Sequence, residues 1–333
     1  MLRSPALPLL ILSLAATAGE ARSALPPLDA DFQRALGKLV DARAKARKIL
    51  IDDERYPVPA KAFAGWRVGI DQQPGHRDME ALVCAAIVKH NEVTVALAKL
   101  LRVPTRTVGL KRPTEKPLEV TRAVNHYGIV VVDLGIERFL KKASTSDGLD
   151  ALSVAIRALA AEEWAAARTA SGKLKGTDAV VWRLVRDATV LAWNERKRAR
   201  HSRDEQDGMR VLNAYRAALG FRPLILDRSL HAMARDFAVE MAKGRFLSHQ
   251  HPTDPTRRTL GRRAQRVRYK GEVGENVSSE RDGAKAVWRW RADAGHHRLM
   301  VMQGFRAGGL GCTKVSVLNV GETTKAEIVA LYP

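Results

Sequence analysis

From Gln206 onward the chain alternates amphipathic helices with glycine stops and ends in short alternating segments. That rhythm limits this part to a layered fold of helices against strands. Gln206 to Leu219 puts Met209, Leu212, Tyr215 and Leu219 on one helical face, and Gly220 ends it. After the apolar turn Pro223-Leu-Ile-Leu226, Asp227 or Ser229 caps a second helix. Leu230, Met233, Ala234, Phe237, Ala238 and Met241 point that helix at a core, and Gly244 stops it. Phe246-Leu-Ser-His249 leaves its end, and a strongly basic run follows from Arg257 to Lys270. A third helix is expected over Gly283–Ala292. Gly308-Gly-Leu-Gly-Cys312 leads into alternating residues from Lys314 to Asn319, and a last strand is expected over Ala326–Tyr332. The whole predicts an α+β sandwich.

The region before it reads as mainly helical. Asp29 or Asp31 caps a helix with Phe32, Leu36, Leu39, Val40, Ala46, Ile49 and Leu50 at roughly helical spacing, a stripe that Arg43 interrupts. Pro57-Val-Pro59 breaks the pattern. A second helix is expected from Asp78 to Leu101, a strand from Tyr127 to Leu134, and two alanine-rich helices over about Asp147–Ala170 and Asp178–Arg200. His76, His90 and His126 are scattered without metal-like neighbours and read as structural or surface residues. The charge run from Glu195 to Arg203 reads as a solvated helix end, with cations where the macrodipole favours them. The expected division is a signal segment over 1–18, a mainly α-helical region of unassigned role over 19–203, and the sandwich over 204–333.

Arg3, the apolar run Ala6–Ala16 and the small residues Ala16-Thr-Ala18 have the form of a cleavable targeting segment. The run is shorter than the roughly 20 apolar residues of a membrane span, so the mature chain is expected to be secreted or periplasmic. Cys84 and Cys312 are the two cysteines of the chain, and buried thiols are the favoured reading over a bridge between its halves. With 46% hydrophobic residues, ordinary cores are available. The net charge of +20 favours anionic partners such as cell-wall polymers, lipopolysaccharide or anionic lipid, and export argues against a specific nucleic acid.

Two histidines and two carboxylates stand out in tight local contexts: His249, Glu275 in Gly274-Glu-Asn276, and Asp293 with His296 in Asp293-Ala-Gly-His296. Imidazoles beside carboxylates make either a divalent-metal site or an acid–base site. Asn213-Ala-Tyr-Arg216, Gly220 with Pro223-Leu224, Leu230 with Ala234 and Ala238, Phe246–His249, Gly274-Glu-Asn276, Trp290, Gly295-His296 and Gly309-Leu-Gly311 follow in one order. That ordered set resembles the CAP superfamily (cysteine-rich secretory, antigen 5, pathogenesis-related 1) in its bacterial form, over about Asp204 to Pro333.

The resemblance implies a three-layer α-β-α sandwich with a central antiparallel sheet and an open cleft. His249, Glu275 and His296 match the cleft residues of the family. Asp293 stands where eukaryotic members have a second acidic residue and many bacterial members a serine. The expected function is an exported binding module whose His249 and His296 are able to hold Zn²⁺, with Glu275 and Asp293 in the same cleft. It would engage lipid or an anionic envelope polymer, with Arg262, Arg263, Arg266 and Arg268 as the cationic contact. The alternative is an extracellular hydrolase, metal-dependent or with Glu275 or His296 activating a water.

Overall fold

The structure, a computed structural model, describes residues 28–52, 76–101, 103–110, 127–132, 151–197, 201–291 and 293–332. The expected signal segment, Pro57-Val-Pro59 and His126 lie outside the described residues.

In the N-terminal region, α1 (Ala30–Arg47) starts at Asp29, whose carboxylate accepts the Phe32 N–H at 2.7 Å. It runs into a π-turn over Lys48–Asp52. Helix α2 spans His76–Leu101. A hairpin-like pair follows, β1 (Thr105–Leu110) antiparallel to β2 (Tyr127–Val132), and β1 was not foreseen from the sequence. The Asn91 amide of α2 brackets β2, donating to the Gly128 carbonyl at 2.6 Å and accepting the Val130 N–H at 2.8 Å. The expected helix over 147–170 is broken into α3 (Ala151–Ala160) and α4 (Trp164–Ser171), with Glu162 at φ 60° between them. The turn brings Trp164 and Ala167 into the core that Leu152 and Ile156 already occupy. Helix α5 is Gly176–Lys197.

The C-terminal region contains α6 (Arg203–Ala218), β3 (Ile225–Leu226), α7 (Arg228–Gly244), α8 (Leu260–Arg266), β4 (Val273–Ser278), α9 (Gly283–Arg291), α10 (Ala294–Val301), β5 (Ala307–Cys312) and β6 (Ser316–Gly321). Ser202 and Glu205 form a reciprocal capping box at the start of α6, and Asp227 caps α7 through the Ser229 and Leu230 amides. The expected last strand is instead a single 3₁₀ turn, Glu327–Leu331. That turn puts Ile328 and Leu331 on one face, and both enter the core formed by α3 to α5. Tyr332 closes the chain there by donating to the Pro223 carbonyl at 2.9 Å.

The sheet order is β3-β5-β6-β4, antiparallel except for the short parallel pair of β3 with β5. Helix α7 covers one face, while α6, α9 and α10 cover the other. Gly309 and Gly311 explain how close α7 lies. A Cβ at either position would fall on backbone atoms of His231 or Arg235. The two glycines read from the sequence are therefore the contact strip between strand and helix.

One core crosses the expected boundary at 203/204. Ala46, Leu50, Val83, Ile87, Val108, Ile129 and Leu191 pack in the same cluster as Met209, Leu212, Tyr215, Leu219 and Phe221. Arg43, the interruption in the α1 stripe, donates from Nε to the Ala218 carbonyl at 3.0 Å and from its terminal nitrogen to that of Ala217 at 2.7 Å. It thus caps the end of α6, where the helix dipole favours a cation. Among the described residues one stretch, Ala81–Leu101 of α2, is long and apolar enough to cross a membrane, and half of it is packed inside the protein. No disulfide joins Cys84, which is buried in α2, to Cys312, at the end of β5.

Candidate functional site: two histidine–carboxylate pairs at the edge strand

Strand β4 is the free edge of the sheet, and its alternation sends neighbouring side chains to opposite faces. Glu275 and Val277 face α7, and Asn276 faces α10. Helix α7 ends at Arg245, which is left-handed at φ 53°, and the chain turns out to His249. The His249 side chain is about half exposed, and its Nδ1 lies 3.0 Å from Glu275 Oε1. A carboxylate at Nδ1 makes that nitrogen the donor and leaves Nε2 with the lone pair.

Glu275 has a second, stronger partner. The terminal nitrogen of Arg263 donates to both of its oxygens, at 2.8 and 2.7 Å, and the two side chains are 4% and 2% exposed. The guanidinium sits 3.6 Å from the centre of the Phe237 ring and also donates to the backbone carbonyls of His249 and Arg257. Asn319, opposite Glu275 in the strand register, adds a fourth bond to Oε2 at 3.2 Å when its amide nitrogen is turned toward the carboxylate. The two terminal nitrogens of Arg263 and both oxygens of Glu275 are bonded, which offsets much of the cost of burial, while Arg263 Nε is buried without a partner among the described residues.

The second pair is local. Asp293 is the N-cap of α10: its Oδ1 accepts the His296 N–H at 2.9 Å and lies 2.9 Å from His296 Nδ1. Burial pushes the Asp293 carboxyl up, but the bonds from the His296 ring and amide outweigh it and hold the group below the usual carboxylate range. Asn276, next to Glu275 in the strand, donates to the His296 carbonyl at 3.0 Å. His297 points the other way, fully buried, with Nε2 2.9 Å from the Tyr215 hydroxyl. His251 shapes a turn by accepting the Thr253 and Asp254 amides on Nδ1.

The structure pairs the four expected residues as two dyads, His249 with Glu275 and Asp293 with His296. Among the described residues no group of three His, Cys, Asp or Glu side chains is arranged to hold a metal ion. Glu275, the best-placed carboxylate, already spends its lone pairs on Arg263, His249 and Asn319. The donor set therefore does not fit a zinc centre that uses Glu275.

The cationic segment also divides. Arg262, Arg266 and Arg268 are exposed, as are Arg258 and Lys270, and Arg266 lies in the field of the Asp254 carboxylate. Arg263 is a correction: it is buried in the ion pair with Glu275 and is not available to a surface polyanion. The sequence held a signal for this. Leu260, Ala264 and Val267 mark one helical face, and Arg263 lies on it. Asn319 carried no such signal, because its role comes from strand register.

Residues 209–322 match the family model of CAP, the cysteine-rich secretory protein family. This chain carries a CAP domain. Two solved structures are similar to it. One is an extracellular protein containing an SCP domain from Bacillus anthracis str. Ames, with 25% identity, a TM-score of 0.34, and 36% of this chain and 40% of that one covered. The other is a cysteine-rich secretory protein from Staphylococcus aureus subsp. aureus Mu50, with 16% identity, a TM-score of 0.30, and 36% and 39% covered. The chain spans about two fifths of the length of these structures. No curated protein matches it. The CAP domain accounts for the motif order; the Arg43 clamp and the shared core attach the preceding helices to it.

Proposed function

We propose that the chain is an exported CAP-domain protein that binds an anionic polymer of the cell envelope, through phosphate or carboxylate groups on the cation-lined segment 258–270. The observation that carries this reading is the set of five exposed cations, Arg258, Arg262, Arg266, Arg268 and Lys270, of which Arg266 shares the field of Asp254. They flank the loop that presents His249. Clustered exposed cations on a chain of net charge +20 attract extended anions more strongly than scattered small ones. The charged, apolar and small-residue pattern of residues 1–18 supports export.

The test is binding of the chain to polyphosphate at two salt concentrations. Between about 0.1 M and about 1 M salt the Debye length contracts from about 10 Å to about 3 Å, and affinity is expected to fall more than about tenfold. Arg262→Gln/Arg266→Gln/Arg268→Gln is expected to weaken binding at low salt and flatten the salt dependence. Binding that ignores salt sinks the reading.

The His249 dyad favours hydrolysis as a second reading. A carboxylate on Nδ1 with the lone pair on Nε2 is how an enzyme orients a general base. In that case His249 is the base. Glu275 positions it and is not itself the base, since Arg263 already holds its oxygens.

A further inference from the structure

We infer that Arg263 is the resident cation of this cleft, and that its guanidinium excludes a divalent metal from the carboxylate such a metal would need. An ionised carboxylate offers about four lone-pair positions. Glu275 fills them with two bonds from Arg263, one from His249 Nδ1 and one from Asn319. For Glu275 to ligate a metal, Arg263 must let go. The side chain is 4% exposed and its guanidinium carbon lies 3.6 Å from the centre of the Phe237 ring, so it is shielded from water in this packing. Releasing Glu275 would leave a buried positive charge without a counter-charge beside an incoming dication, and both effects oppose binding.

What remains for a metal is poor. His249 and His296 each have Nδ1 taken up by a carboxylate, which leaves one ring nitrogen apiece, and Asp293 is tied to the His296 ring and amide. The exposed Arg258, Arg262 and Arg266 add positive potential nearby. Arg263 and Glu275 cancel each other's charge, so the cleft keeps the sign of its rim. A single arginine therefore sets its ionic preference, toward anions and against metal. The inference stands on the buried pair and does not require that the polymer reading hold.

The test is zinc titration by calorimetry, with Co²⁺ absorption as a second readout. The wild-type chain is expected to show no saturable site tighter than about 1 mM. Arg263→Gln, or Arg263→Met, which keeps a stem against Phe237 and removes the charge, is expected to gain at least about tenfold in affinity. Adding His249→Ala to either is expected to abolish the gain. A wild-type site of micromolar affinity that His249→Ala removes overturns the inference. So does a folded Arg263→Gln or Arg263→Met that gains nothing. If neither variant folds, the wild-type isotherm decides alone, a saturable site counting against and its absence in favour. Polyphosphate binding by the same wild-type sample is read separately, so failure of the polymer reading is distinguishable from failure of this one.

Discussion

His90 shows how one buried side chain sets a pH limit. Its Nδ1 lies 3.1 Å from an Arg43 nitrogen, which has only protons to offer, so Nδ1 is the acceptor. Nε2 then donates to the Val130 carbonyl at 3.1 Å. Burial, followed by the Arg43 charge, lowers the His90 pKa from 6.5 to about 3. The unfolded chain therefore binds a proton that the folded chain refuses between those two values. This contribution to stability is complete above pH 6.5 and drains away as pH falls to about 3, at about 1.4 kcal/mol per pH unit. Urea melts from pH 7 to pH 4 are expected to show a shallower loss for His90→Gln than for wild type, and equal slopes would count against the assignment. Arg43 and Arg263 teach a related lesson. Each lies on an otherwise apolar helical face, where local spacing makes it look like noise. Their partners sit on distant elements: Arg43 bonds carbonyls at the end of α6, and Arg263 bonds a strand residue. His249 and Glu275 were legible because motif order carried them; the helical face of Arg263 was legible too, but its partner was not, because a buried ion pair is a tertiary fact.

Among the elements, α6, α7 and α9 were legible because caps and glycine stops are local chemistry, while α8 and α10 were not foreseen. Ser202 with Glu205, Asp227, and the stop after Gly244 act within one turn of their own residues. Other elements were misread or missed for the opposite reason. Strand β1 exists through pairing with β2, and the α3–α4 break exists to bury Trp164. The terminal turn is helical because Ile328 and Leu331 share one apolar contact. The strip of glycines in β5 lies between these cases: the sequence displayed it, and the structure supplies its reason. Gly309→Ala or Gly311→Ala would drive a methyl into the α7 backbone, which has no rotamer with which to yield. Each is expected to cost at least about 3 kcal/mol, at the upper end for overpacking a core. Chemical denaturation reads this directly, and a change below about 1 kcal/mol would mean that α7 lifts off the sheet at little cost.

Taken as a whole molecule, the chain is less divisible than its composition suggests. The change of texture near residue 203 is real in sequence, yet α6 has no free side. One face of it meets the sheet, while Leu212, Tyr215 and Leu219 share a cluster with Leu50, Ile87, Val108 and Ile129 of the preceding region. Arg210 adds a polar seam across the same boundary, bonding Glu195 at 3.0 Å while Arg106 reaches the same carboxylate at 3.4 Å. The N-terminal helices therefore do for α6 what a second layer does for any amphipathic helix: they remove its outer face from water. A fragment beginning at His201 would expose that face and lose the Arg43 cap on Ala217 and Ala218. Such a fragment is expected to bind a hydrophobic dye and to melt without the sharp transition of the full chain. A cooperative melt within a few degrees of the full chain would instead show that the CAP domain holds its own core, and that the shared cluster is contact without dependence.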